Sequence, residues 1–189
     1  SVQLRRAARA VHVSGAAIWS AGIAFSALLA ALNLLAGASG GLARLGLAAP
    51  AAAIEVHGAV MACGFFGTLI ALERAVALRR QVGLIAPLAA GIGGVLAWSV
   101  HSESAAQLSW AVAASALIGL YLHAGFTRAW SLPLAVELCG ALCWGAGNAA
   151  WIAGDLAAGV TGWMAFLVLT IAAERRELTQ MMRLPRLAQ

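Results

Sequence analysis

Long apolar runs alternate along the chain with short polar interruptions. Six runs, at about 11–36, 51–74, 83–100, 106–126, 132–153 and 158–176, are long enough as helices to span roughly 30 Å of hydrocarbon at about 1.5 Å per residue. Between them stand "GASGGLARLGLAAP", "LRRQVG", "HSESAAQ", "TRAWSLP" and "GDLAAGVTG", each carrying Gly, Pro, charged or hydroxyl groups. No interruption is large enough to be a domain of its own. The pattern predicts an all-α fold: one integral-membrane helical bundle over residues 1–189, with about six transmembrane helices. The first run follows the basic segment "SVQLRRAARA", and its apolar part outruns the core of a secretion signal, so it is read as a retained span.

Composition supports lipid as the solvent. Apolar residues make up 62% of the 189 and charged ones 10%, with a mean hydropathy of +0.89. A soluble domain is nearer half apolar and a quarter charged. The sequence pI of about 10.5 would suit a nucleic-acid partner, but the basic groups are not gathered on one face. All 12 are arginine, and they cluster at the ends of apolar runs. With the amino terminus inside, the inner side carries Arg5, Arg6, Arg9, Arg74, Arg79, Arg80, Arg128, Arg175, Arg176, Arg183 and Arg186, and the outer side only Arg44. That asymmetry is the positive-inside signature. It places both termini in the cytoplasm. The expected partners are the lipid bilayer and a membrane-protein partner or a second copy of the chain, with no nucleic acid.

Two internal similarities bear on topology. "EVHGAVM" (Glu55–Met61) resembles "ELCGALC" (Glu137–Cys143), and a three-plus-three inverted repeat would explain it. "LIALER" (Leu69–Arg74) also resembles "TIAAER" (Thr170–Arg175). The two registers cannot belong to one repeat, and chance similarity in so limited an alphabet is the competing explanation.

The candidate chemistry lies where polar groups enter apolar runs. His57 and Met61 are four residues apart and share a helix face. Imidazole with thioether suits copper or haem iron, although Met61 is equally ordinary core filler. The equivalent positions of the fifth run, Cys139 and Cys143, are soft thiol ligands. Cys63 is the third thiol, and all three suit packing or metal binding better than a disulfide. His57 and His101 fall toward the outer face, and His12 and His123 toward the inner one, a layering that a dihaem bundle would need. The bland alternative is solvated interfacial imidazole.

Carboxylates concentrate toward the inner face. Glu73 and Glu174 stand beside Arg74 and Arg175. Neighbours on a helix do not face one another, so crosswise ion pairs, Glu73 with Arg175 and Glu174 with Arg74, are expected to tie the second run to the sixth. Glu137 has no adjacent arginine and needs a buried partner, for which His123 is a candidate. Glu55 and Asn148 complete the buried polar set, with Asn148 serving as interhelical glue or lining a cavity. Glycines at packing spacings imply a tight bundle. Trp19, Trp98, Trp110, Trp130 and Trp163 fit an interfacial aromatic belt. No phosphate-cradling loop, nucleophile elbow, zinc HExxH or haem-attaching CxxCH occurs.

"EVHGAVMACGFFGTLIALERAVAL" with "WMAFLVLTIAAERRELTQ" resembles a group of small bacterial polytopic membrane proteins. The "HGAVMACGF" core is similar to the His-x-x-x-Met-x-x-Gly-Phe element of the larger NnrS family, through His57, Met61, Gly64 and Phe65. That resemblance implies haem or copper at His57 and a place in nitrogen-oxide-related metabolism. The residues and the resemblance together point first to a redox-associated protein binding haem b or copper through His57. A small transporter or channel using Glu55, Glu137 and Asn148, and a structural subunit of a larger complex, are the alternatives.

Overall fold

The computed structural model describes residues 2–47 and 54–181, with side chains over 15–47 and 54–176. The side chains of Arg5, Arg6, Arg9 and His12, and all of Arg183 and Arg186, lie outside the described residues. Six helical rods follow one another: α1 (Val2–Arg44), α2 (His57–Leu78), α3 (Gln81–Ser99), α4 (Glu103–Arg128), α5 (Leu132–Ile152) and α6 (Leu156–Met181). Among the described residues there is no strand. Five of the helices are long and apolar enough to cross a membrane, which makes this a multi-pass membrane protein by length and composition.

The exception is α5, expected as the fifth span. Its 21 residues give it the length, about 31 Å at 1.5 Å per residue, but it falls outside that set of five. Glu137, Asn148 and Pro133 are the residues that dilute its apolar run. Those groups are buried, so α5 meets the apolar surroundings through other residues, among them the exposed Leu142. Its first turn is set by the Ser131 hydroxyl, which accepts the Leu134 N–H at 3.3 Å, with Pro133 just inside. Gly154, at φ +92°, closes the helix and turns the chain into α6.

Helix α2 occupies the centre. Cys63 meets Asn148 and Trp144, Gly67 packs on Trp144, and Arg74 meets Glu137, so α2 and α5 run antiparallel. On its other side Gly64 faces Gly94 of α3 and Asn33 of α1. Helices α5 and α6 approach closely at Gly147 and Gly162, where a Cβ on Gly162 would sit 2.7 Å from the Cys143 carbonyl oxygen. Only residues without a side chain permit that crossing.

The second helix is not a uniform α-helix. Val60–Phe66 form a π-helical turn, after which the Gly67 N–H reaches back five residues to the Ala62 carbonyl. Such a turn is rare and gathers at functional sites. The Gly64 carbonyl at its end accepts from the Thr68 hydroxyl at 2.5 Å and the Asn33 amide at 3.4 Å. The second run also starts later than its apolar residues suggest, because 54–56 form a turn ahead of His57.

The tryptophans divide. Trp130 is 46% exposed, as a belt residue should be, whereas Trp110 and Trp163 are buried to 0% and 1% exposure. These two belong to the core, not the belt. Their indole N–H groups find acceptors inside the bundle, Ala90 O at 3.0 Å and Asn148 Oδ1 at 2.9 Å. An indole with its N–H satisfied loses nothing by full burial.

Candidate functional site

Three polar places interrupt the apolar interior. The first is a corner where the amino end of α2 meets α1. The His57 Nδ1 lies 2.6 Å from the Gly37 carbonyl oxygen. A carbonyl only accepts, so Nδ1 carries the hydrogen, and in the neutral imidazole Nε2 keeps its lone pair. The ring is seated on Gly41, where a Cβ would come within 2.9 Å of Cε1, and the Met61 sulfur is seated on Gly37 in the same manner. His57 and Met61 thus share the α1-facing side of α2. Arg44, at the end of α1, braces the corner by donating to the Ile54 carbonyl at 2.6 Å and the Glu55 carbonyl at 3.2 Å.

Glu55 itself is exposed in the turn ahead of α2. It was expected to be buried. It is not, because the helix begins at His57 and only the Glu55 backbone is engaged.

The second place is midway along the bundle. The Asn148 Oδ1 accepts from Trp163 Nε1 at 2.9 Å and faces the Cys63 thiol at 3.8 Å, while its Nδ2 donates to the Trp110 carbonyl at 3.1 Å. Trp144 donates to the Cys63 sulfur at 3.2 Å. The ring of Trp151 stacks on Trp110 at 5.6 Å and meets Trp163 edge-on at 5.3 Å. Asn33 plays a parallel part among α1, α2 and α3: it donates to the Gly91 carbonyl at 2.9 Å and accepts from Trp98 at 3.0 Å.

The third place is at the arginine-rich end. Glu137, 1% exposed, forms an ion pair with Arg74. The Arg74 guanidinium carbon stands 5.3 Å from the centre of the Tyr121 ring, a cation–π distance. Glu174 of α6 acts electrostatically on the same tyrosine. Beside the pair, a half-open cleft of about 170 Å³ is lined by Arg74, Leu78, Ala124, Arg128, Ser131 and Glu137, among others.

This arrangement corrects two of the expected pairings, Glu137 with His123 and Glu73 with Arg175. The partner of Glu137 is Arg74, not His123. His123 is instead taken by Arg80, whose Nη1 lies 2.5 Å from its Nε2. Glu73 is exposed and makes no ion pair among the described residues, so its expected pair with Arg175 is not formed. The reason is helical phase: when Arg74 faces the bundle, the residue before it is rotated about 100° toward the outside. Glu174 is half-buried and Arg175 exposed on α6.

His101 is exposed in the turn between α3 and α4, at φ +56°. His12 lies outside the described side chains. Cys139 is exposed and Cys143 half-buried on α5. The antiparallel register that sets Asn148 level with Cys63 leaves Cys143 far down the bundle from His57. Among the described residues, no three His, Cys, Asp or Glu side chains come together as a metal cluster.

Sequence reasoning passed over Asn33, Tyr121 and the Arg80–His123 contact. Asn33 did carry a signal, as an amide in the middle of the first apolar run. Tyr121 is the single tyrosine of the chain, but nothing in its neighbours marks it.

Helices fit to cross a membrane, with amides, an ion pair and an anchored imidazole enclosed among them, define a multi-pass membrane protein with polar sites inside its bundle. The chain belongs to the family described as "Domain of unknown function (DUF8744)", whose model matches residues 23–189. No curated protein and no solved structure matches it.

Proposed function

We propose that the chain is a redox-associated protein of a bacterial cytoplasmic membrane that binds haem or copper through His57, within a respiratory or nitrogen-oxide-related system. The observation that carries this reading is the bond from His57 Nδ1 to the Gly37 carbonyl. Metal-binding imidazoles characteristically donate their other ring N–H to a carbonyl or carboxylate, which fixes the tautomer and aims the ligating nitrogen. Among the histidines with described side chains, His57 alone has this arrangement: His123 is engaged at Nε2 by Arg80, and His101 is exposed.

The donor set bears on which group is bound. His57 and the Met61 thioether make a two-ligand set, with no cluster of three His, Cys, Asp or Glu among the described residues. Two donors four apart on one helix face could approach a copper ion from the same side, and further ligands would have to come from elsewhere. A haem iron would be held by His57 alone, since Met61 on the same face could not reach the other side of the ring. Either group would supply one-electron transfer. The protein's part is to hold the imidazole against α1 and to shield it with apolar helices. The arginine asymmetry, with Arg74, Arg79, Arg80, Arg128, Arg175 and Arg176 at the opposite end, supports reading the His57 end as the outer one.

The test is the visible spectrum and metal content of the detergent-purified chain, expressed with haem precursor and copper supplied. A Soret band or near-stoichiometric copper is expected, falling to background in His57→Ala while helical content is kept. A colourless, metal-free preparation overturns the proposal.

A further inference from the structure

The cleft at the arginine-rich end is independent of His57 and has its own chemistry. Its charged lining consists of Arg74, Arg128 and Glu137. Glu137 answers Arg74 in the ion pair, which leaves the cleft net positive through Arg128. Arg128 is exposed and has no ion-pair partner among the described residues. The cleft also receives the start of α5 at Ser131, whose partial positive charge adds to that of the arginine. A single water needs about 10–15 Å³ of such space, so about 170 Å³ admits a phosphate group with several waters.

The neighbouring side chains give its depth. Phe126 and Trp130 are 77% and 46% exposed and meet edge-on at 5.7 Å. Exposed aromatic rings of this kind sit at the headgroup level of a bilayer. A basic pocket between helices at that depth, on the arginine-rich side, faces the leaflet in which anionic lipids concentrate.

We propose that the cleft between α2, α4 and α5 is a binding site for a phosphate-type oxyanion, with Arg128 as the cation that holds it and Arg74 and Glu137 as its fixed wall. Both an anionic phospholipid headgroup and free phosphate present this chemistry.

The test uses the full chain and two exposed-arginine variants. Arg128→Gln removes the cleft's cation, and Arg176→Gln removes a charge from the same end outside the cleft. Retention of phosphatidylglycerol against phosphatidylcholine is measured by native mass spectrometry from mixed nanodiscs. Thermal stabilisation by millimolar inorganic phosphate is measured in detergent. A preference for phosphatidylglycerol that falls about fivefold in Arg128→Gln, and not in Arg176→Gln, supports the site with lipid as its source. Phosphate stabilisation lost in Arg128→Gln alone, without a lipid preference, supports it with the free anion. The proposal is overturned if neither ligand discriminates, if Arg128→Gln keeps the discrimination, or if both variants lose it equally.

Discussion

Asn148 and Glu137 stand eleven positions apart on α5, which is three turns and nearly the same face, about 16 Å along the axis. Each is only 1% exposed. Around Asn148 the bundle closes completely: an indole N–H and a thiol point at its oxygen, a backbone carbonyl takes its nitrogen, and tryptophan rings seal the surroundings. Around Glu137 the bundle supplies a charge and leaves a way in, since the carboxylate lines a half-open cleft. A neutral amide satisfied on every side needs nothing further and specifies how helices meet. A buried carboxylate needs a counter-charge, and a cleft beside such a pair allows an outside group to reach it. Burial alone therefore does not separate structural from functional polar residues; access does.

The sharpest way to break this comparison is to remove the carboxylate. Glu137→Leu leaves the Arg74 cation without its principal partner, and losing one member of a buried pair costs about 3 kcal/mol or more. Unfolding of the detergent-solubilised protein by titrated dodecyl sulfate, followed by tryptophan fluorescence, should show that loss. The double variant Arg74→Met with Glu137→Leu should recover most of it, because an apolar pair of similar size removes the stranded charge. A single variant as stable as the parent would mean that the pair is not what holds α2 to α5 at this end.

Asn148→Leu should have the next largest effect. It strands the Trp163 N–H and the Trp110 carbonyl, for which about 1–2 kcal/mol is expected in the same titration. No charge is exposed, so no companion substitution of a single partner should restore it. If Asn148→Leu proved more damaging than Glu137→Leu, the ranking of closed amide below open ion pair would be reversed.

How much of this was legible in the sequence differs between the two residues in an instructive way. The third, fourth and fifth apolar runs predicted helices close to their observed bounds, because length and hydropathy are local properties of the chain, whereas α1 (Val2–Arg44) outruns 11–36 at both ends and α2 begins only at His57. The isolation of Glu137 demanded a buried partner, and one is there. Its identity was not legible, since that depends on how α2 and α5 are rotated about their axes. Helices that are apolar nearly all round carry little periodicity from which to read that rotation. The same gap hid the division of the tryptophans: Trp110 and Trp130 look alike in sequence, and only the packing puts one in the core and the other at the rim. The π-turn at Val60–Phe66 was illegible for another reason. Nothing in "VMACGFF" breaks a helix, and the groups that meet its Gly64 carbonyl, the Thr68 hydroxyl and the Asn33 amide, lie outside that stretch.

Glu73 gives the smallest effect and the cleanest control on helical phase. It differs from Arg74 by one position in sequence, yet it is exposed and has no ion pair among the described residues. Glu73→Gln should change stability by no more than about 0.5 kcal/mol, as surface substitutions generally do. Glu137→Gln, an equally conservative change, should be felt, because an amide cannot neutralise Arg74. A marked loss in Glu73→Gln would require a basic partner outside the described residues or would return the Glu73–Arg175 pair to consideration. An unchanged Glu73→Gln beside a weakened Glu137→Gln would establish that one helical step decides whether a carboxylate on this bundle is architecture or surface.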